Sequence, residues 1–251
     1  MILDAATRVL FLHAHPDDET LATGALIADL VARGVEVAVV TATRGERGEI
    51  TDPGLADDLV ALRERELAAA LAVLGVHHHA FLGTPPARAG VSRLRGDDGE
   101  KRGDDGRSRR YTDSGMVWVT PELAGPGEDA GPDSLTAASV DEAAADLASY
   151  AVWFRADALV SYDESGGYGH PDHVACHYIA KAAAGHLGIG FVELVSGVEE
   201  PRLDHYRDQV AEALSSYRSQ LRIDGDEVVH VGGQRHPIPT TAAVRDRNHR
   251  D

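Results

Sequence analysis

Short apolar runs of strand length alternate with longer helix-forming segments along most of this chain, and that alternation leaves few folds open. Residues 8–13 (RVLFLH) are short, continuous and apolar, as a strand buried on both faces must be. Residues 20–33 carry Leu26, Ile27, Leu30 and Val31 as a stripe at helical spacing, with Gly34 as the stop. A β-branched strand is predicted over 35–43, a helix over 58–74 closed by Gly75, and a short strand over 80–83. The pattern resumes as helix 139–154, strand 156–162, helix 173–186, strand 189–195 and helix 203–221, with an edge strand at 228–231. The expected architecture is α/β: a Rossmann-like, mostly parallel sheet with helices on both faces, as right-handed βαβ crossovers require. A chain of 251 residues fits one such domain.

Two stretches interrupt the pattern. Residues 85–110 are dense in Gly, Arg and Asp and read as a solvated, mobile insertion that includes Arg107–Arg110. Residues 121–133 read as a second loop. Lys plus Arg number 24 against 41 Asp plus Glu, a formal charge of −17, which disfavours nucleic acid and anionic membrane surfaces as partners. Cys176 is the single cysteine, so no intrachain disulfide forms, and it reads as a small apolar residue on a helix. No leader pattern or apolar run of about 18 residues is evident, so a cytoplasmic protein is expected. Oligomeric state, a homo-oligomer included, is left open.

The chemistry lies at two strand ends. His13-Ala14-His15-Pro16-Asp17-Asp18-Glu19 directly follows the first strand, and the segment from Tyr162 to His173 directly follows the strand ending near residue 162. Ligand sites in open parallel sheets form just beyond the carboxyl ends of strands. Both clusters should therefore share one rim, although about 150 residues separate them in the chain. By contrast, His77-His78-His79 precedes a strand and is not expected to bind metal, while Trp118 and Trp153 are expected to be packing residues.

A catalytic zinc takes three protein ligands and keeps one position for water, and His and Asp suit it. The first cluster offers a close pair and the second a distant ligand. A metal lowers the pKa of its water from 15.7 to about 7, and a carboxylate left free can act as general base. The second cluster has two histidines, so one can bind metal while the other, protonated, stabilises an oxyanion. Spacing alone does not distinguish Asp17 from Asp18. Two histidines and a carboxylate also describe a non-haem iron oxygenase site, although alternating strands and helices do not suit that chemistry. A sugar-binding module without catalysis is a further alternative.

AHPDDE at residues 14–19 and GHPDH at residues 169–173 together resemble the PIG-L/LmbE-like family of zinc-dependent N-deacetylases, and most closely its mycothiol-pathway branch. The similarity runs over residues 7–187 apart from the insertion. It implies that His15, Asp18 and His173 bind Zn2+, with Fe2+ or another divalent metal also open. It implies that Asp17 is the general base, that His170 stabilises the oxyanion as a charged donor, and that Asp172 orients a histidine. Arg63, Asp113 and Tyr168 match family residues that contact substrate. The activity implied is removal of an acyl group, acetyl above all, from the 2-amino group of a small-molecule N-acetylglucosamine-type glycoside. Cleavage of a mycothiol-like conjugate by an amidase is the alternative within the family. The charged stretch before Asp113, and the part after about Gly188, depart from the family pattern.

Overall fold

The computed structural model describes residues 1–51, 54, 58–90, 110–120, 123–127, 130–199 and 201–247. A one-turn helix α1 (Ile2–Ala5) leads into β1 (Arg8–His13), α2 (Asp18–Ala32), β2 (Glu36–Thr41), α3 (Leu59–Val73) and β3 (His78–Phe81). A hairpin of β4 (Met116–Thr120) and β5 (Leu123–Pro126) follows. Next come α4 (Val140–Phe154), β6 (Ala158–Tyr162), the short α5 (Gly166–Gly169), α6 (Pro171–Leu187) and β7 (Gly190–Leu194). The C-terminal portion adds α7 (Arg207–Leu214), β8 (Leu221–Asp224), β9 (Glu227–His230), β10 (Arg235–Pro237) and β11 (Val244–Arg247).

Six strands form the central sheet in the order β11-β7-β6-β1-β2-β3. Its pairings are parallel except that β11 lies antiparallel on β7. Alternation along β1 divides the core: Leu10 and Leu12 face the layer of α4 and α6, while Val9 and Phe11 face α2, α3 and α7. All four are fully buried, so β1 is covered on both faces, as a central parallel strand must be. Helix α2 continues β1 with no intervening strand, and its buried residues Ala25, Leu26, Ile27, Ala28 and Leu30 close one of these faces. Helix α6 starts at Pro171, where the missing N–H costs nothing, and stops at Gly188 in the left-handed conformation (φ 66°). None of the helices described is long and apolar enough to cross a membrane.

Several expectations require correction. Part of the loop expected at 121–133 is strand β5, paired with β4. The helix expected over 203–221 ends at Leu214, because Tyr217 and Ser219 turn inward to bond buried carboxylates on α2 and α3. The segment near 228–231 is not an edge strand: β9 lies at the centre of a separate three-stranded antiparallel sheet, β10-β9-β8. The edge of the main sheet is instead β11, in a stretch whose alternation is too weak to mark a strand. Strand β3 begins earlier than predicted and contains His78 and His79. Trp118 and Trp153 are half exposed, Trp118 stacked on Tyr168 and Trp153 tilted against Tyr150. Most of the expected insertion, residues 91–109, lies outside the described residues, while Arg110 pairs with Glu46 (3.0 Å). Cys176 is fully buried in the core on α6.

His79 gives the fold a pH dependence outside the two His/Asp clusters. Its Nε2 lies 3.1 Å from Thr41 Oγ1, and burial, with the Arg44 cation nearby, lowers its pKa from 6.5 to about 4. Between these values the unfolded chain binds a proton that the folded chain resists, so stability falls as pH drops from 6.5 to 4. Urea midpoints measured across this window should fall less steeply in His79→Gln than in wild type. Parallel profiles would contradict the assignment.

Candidate metal centre

Strands β1 and β6 are hydrogen-bonded neighbours, with Val9 opposite Ala158 and Phe11 opposite Val160. Their carboxyl ends therefore release the two His/Asp segments side by side. From the first segment, His15 and Asp18 are buried, and Asp18 opens α2. From the second, the His170 side chain caps α6, and Asp172 and His173 occupy its first turn, both buried. Gly166 (φ 64°) lets the connecting loop pass the helix, since a Cβ there would stand 2.8 Å from Val174 N and 3.0 Å from His173 Cβ.

The three residues expected to hold metal converge on one atom. Asp18 Oδ2 lies 3.1 Å from His15 Nδ1 and 3.2 Å from His173 Nε2. Zinc bonds of 2.0–2.1 Å in tetrahedral geometry place ligand atoms about 3.3 Å apart, so these separations suit a shared cation. His173 Nε2, buried and close to the Asp18 carboxylate, makes no hydrogen bond of proper geometry, and neither does Asp172 Oδ1. A buried polar atom without a hydrogen bond is costly, and a cation between His173 and Asp18 would satisfy both. Among the described residues, the trios whose donor atoms all lie within 4.8 Å of one another are His15–His170–His173 and His15–Asp113–Asp172. The donor set of imidazoles and carboxylates fits a borderline divalent ion in each case.

The surroundings fix these side chains. His15 Nε2 sits 3.1 Å from Asp172 Oδ2, which also accepts the Ser114 backbone N–H (2.9 Å). Burial opposes charge on His15, but Asp113, Asp172 and Asp18 hold its pKa well above the ordinary value. Burial likewise opposes charge on Asp18, and His173 and His15 overcome it, holding that carboxyl well below its usual range. Tyr162 stacks flat on His173 (4.1 Å, 9°), while its hydroxyl accepts the Ala14 N–H (3.1 Å). One tyrosine thus ties the two segments together.

Asp17 has an unusual backbone, φ 106° and ψ −33°, at the N-cap of α2. Such a conformation costs a non-glycine residue about 1–3 kcal/mol and persists only where neighbours enforce it. Burial, together with Asp18 and Glu19, pushes its carboxyl up to about 8 against the opposing pull of Arg63. Arg63, expected to contact substrate, is buried and directed at protein atoms. It donates to Pro16 O (2.6 Å), Gly45 O (2.8 Å) and Asp17 Oδ2 (3.3 Å). Gly45 admits it, because a Cβ at that residue would lie 1.9 Å from the guanidinium.

The remaining residues lie around the same rim. His170 Nδ1 accepts the Asp172 N–H (3.1 Å), which leaves Nε2 to carry the ring proton as a neutral donor. Burial, with His15 and His173 close by, takes its pKa down to about 3, so the charged form expected for His170 is disfavoured here. Asp113 is buried and accepts from the backbone N–H groups of Gly115 (2.8 Å) and Arg47 (3.2 Å). Tyr168 is 40% exposed, edge-on to His173 (5.3 Å) and stacked on Trp118 (5.6 Å). All nine expected residues therefore collect at one rim. Sequence reasoning gave no role to Glu19, Tyr162 or Tyr217, although the first two stand inside the clusters it singled out. Tyr217 carried no local signal. The tract His77–His79 takes no part: His79 pairs with Thr41, and His78 with Glu36 (3.1 Å).

Comparison with known proteins places the chain in a family. The family described as PIG-L, GlcNAc-PI de-N-acetylase, matches residues 10–184. A 1D-myo-inositol 2-acetamido-2-deoxy-alpha-D-glucopyranoside deacetylase from Kineococcus radiotolerans is 44% identical over 179 residues, covering 70% of this chain and 44% of that protein. Its counterpart from Thermobispora bispora is 43% identical over 186 residues, covering 71% and 52%. The chain thus spans about half the length of the curated relatives it matches. Among solved structures, N,N'-diacetylchitobiose deacetylase from Pyrococcus horikoshii shares the fold (TM-score 0.59, 19% identity, 86% of this chain and 71% of that one). A zinc-inhibited form of teicoplanin deacetylase is also similar (TM-score 0.53, 25% identity, 84% of each chain). On the match over residues 10–184, which takes in both His/Asp segments of the rim, this chain belongs to the PIG-L family.

Proposed function

We propose that this protein is a zinc-dependent amide hydrolase that removes the acetyl group from the 2-amino position of an N-acetylglucosamine-type glycoside. The observation that carries the reading is the placement of Asp17 and His170 on the rim where His15, Asp18 and His173 converge. The names of the related deacetylases supply the substrate class.

His15, Asp18 and His173 would hold the ion, which when bound supplies Lewis acidity toward the acyl carbonyl and toward water. Asp17 takes the proton of the attacking water and returns it to the departing amine. Arg63 keeps the Asp17 carboxylate aimed at that task rather than touching substrate. His170 donates from neutral Nε2 to the oxygen that becomes negative, and a neutral donor suffices in a site shielded from water. Asp172, fixed by Ser114 N–H, orients His15. Asp113 and Tyr168 border the position of the sugar. A charge of −17 suits a neutral, polar substrate better than a polyanion.

Incubating the zinc-loaded protein with N-acetylglucosaminyl-inositol, N,N'-diacetylchitobiose and a thiol conjugate of a glucosaminyl-inositol amide should release acetate and free amine in equal amounts from at least one N-acetyl sugar. Free amine from the conjugate alone, matched by the carboxylic acid of its own acyl part and not by acetate, identifies an amidase, and no free amine from any of the three overturns the reading. Asp17→Ala should lower turnover about 10²–10⁴-fold while bound zinc stays at the wild-type level. Metal analysis should also find zinc lost from Asp18→Ala and His173→Ala, and affinity weakened about 10–100-fold in Asp172→Ala. Undiminished zinc in all three variants contradicts the ligand assignment.

A further inference from the structure

We infer that Glu19 and Tyr217 form a relay that positions Asp17, so that the segment after α7 controls the reactivity of the site's base. This inference rests on the proposed role of Asp17.

Glu19 is fully buried and has no place in the chemistry described above. One of its oxygens, Oε2, accepts the backbone N–H of Asp17 (3.1 Å). The other, Oε1, accepts two hydroxyls, those of Thr20 and Tyr217. Tyr217 is itself fully buried. It reaches Glu19 from beyond the stretch matched by the family, which ends at residue 184. The carboxylate therefore has one oxygen on the base's backbone and the other on a side chain 198 positions away.

The same C-terminal turn grips a second support. Ser219 donates through its N–H (2.9 Å) and hydroxyl (2.6 Å) to Glu66 on α3. Arg63 lies three residues earlier on that helix and holds Pro16 O and Asp17 Oδ2. Asp17 is thus held from two sides, through Glu19 on α2 and Arg63 on α3. The turn at residues 217–219 links those helices. Its anchoring of Glu19 bears on the one backbone in the rim that adopts φ 106° without being glycine. A relaxed Asp17 would carry its carboxylate away from the attacking water, and displacements near 1 Å can cost about 10²-fold in rate.

Tyr217→Phe removes one hydroxyl and keeps the buried ring. Glu19→Gln forces one acceptor position to become a donor. Each single variant should lose about tenfold in kcat, a fraction of what loss of the base itself costs. KM and bound zinc should stay within about twofold of wild type, which a general loss of structure would not give. The double variant should be no slower than the slower single, because residues acting through one contact are not additive. Crystal structures of wild type and Tyr217→Phe should show Asp17 leaving its positive φ in the variant. Unchanged kcat, additive losses, zinc content falling in step with activity, or Asp17 unmoved in the variant would each overturn the relay. Inactivity of wild type on every substrate sinks the deacetylase reading, while the crystallographic comparison of Asp17 still decides this one.

Discussion

The parallel pairing of β1 with β6 is the constraint on which the site depends. Strands β1, β2 and β3 progress to one side of β1, while β6 and β7 lie on the other, so the chain reverses its direction of winding at the β1/β6 junction. Helix α2 after β1 and helix α6 after β6 pack on opposite faces, and the crevice between them opens at the strands' carboxyl ends. Neither His/Asp segment could assemble a centre alone. Hydrogen bonds between two central strands bring their ends together, and Tyr162, the last residue of β6, fastens the junction by accepting the Ala14 N–H and lying against His173.

Electrostatics gives the crevice its purpose. Asp17, Asp18, Asp113 and Asp172 crowd a small volume with three histidines, and Asp18, Asp113 and Asp172 are buried. Carboxylates so placed repel one another unless positive charge lies between them. His15, with Asp18 on one ring nitrogen and Asp172 on the other, sits at the centre of this arrangement. The same crowding separates the roles of two adjacent residues. Asp18 is held strongly acidic by two imidazoles, whereas burial pushes Asp17 up to about 8. One neighbour is suited to holding a cation and the other to exchanging a proton.

The parts legible in sequence were those encoded locally. Strand 8–13, helix 58–74 and helix 139–154 carry their own periodicity and match β1, α3 and α4 to within a residue or two. The site was legible because the strand-end rule places both motifs on one rim. What was hidden is tertiary. Nothing near Tyr217 announces a partner at Glu19, so helical periodicity was extended to 221, where the backbone instead turns to satisfy a buried carboxylate. Arg63 on a charged helix gave no sign of being buried, because its acceptors are carbonyls of loops at Pro16 and Gly45. The neutral form of His170 was similarly out of reach, since it depends on the capping bond from Asp172 N–H and on burial.

Three overlapping sets of donor atoms meet at His15, and one of them is assigned to the ion. Anomalous scattering at the zinc edge, from crystals of the zinc-loaded protein, decides directly. A single strong peak is expected within bonding distance of His15, Asp18 and His173, with Asp17 beside it but not bonded. A peak ligated by Asp113 and Asp172, or one held by His170 in place of Asp18, would contradict that assignment.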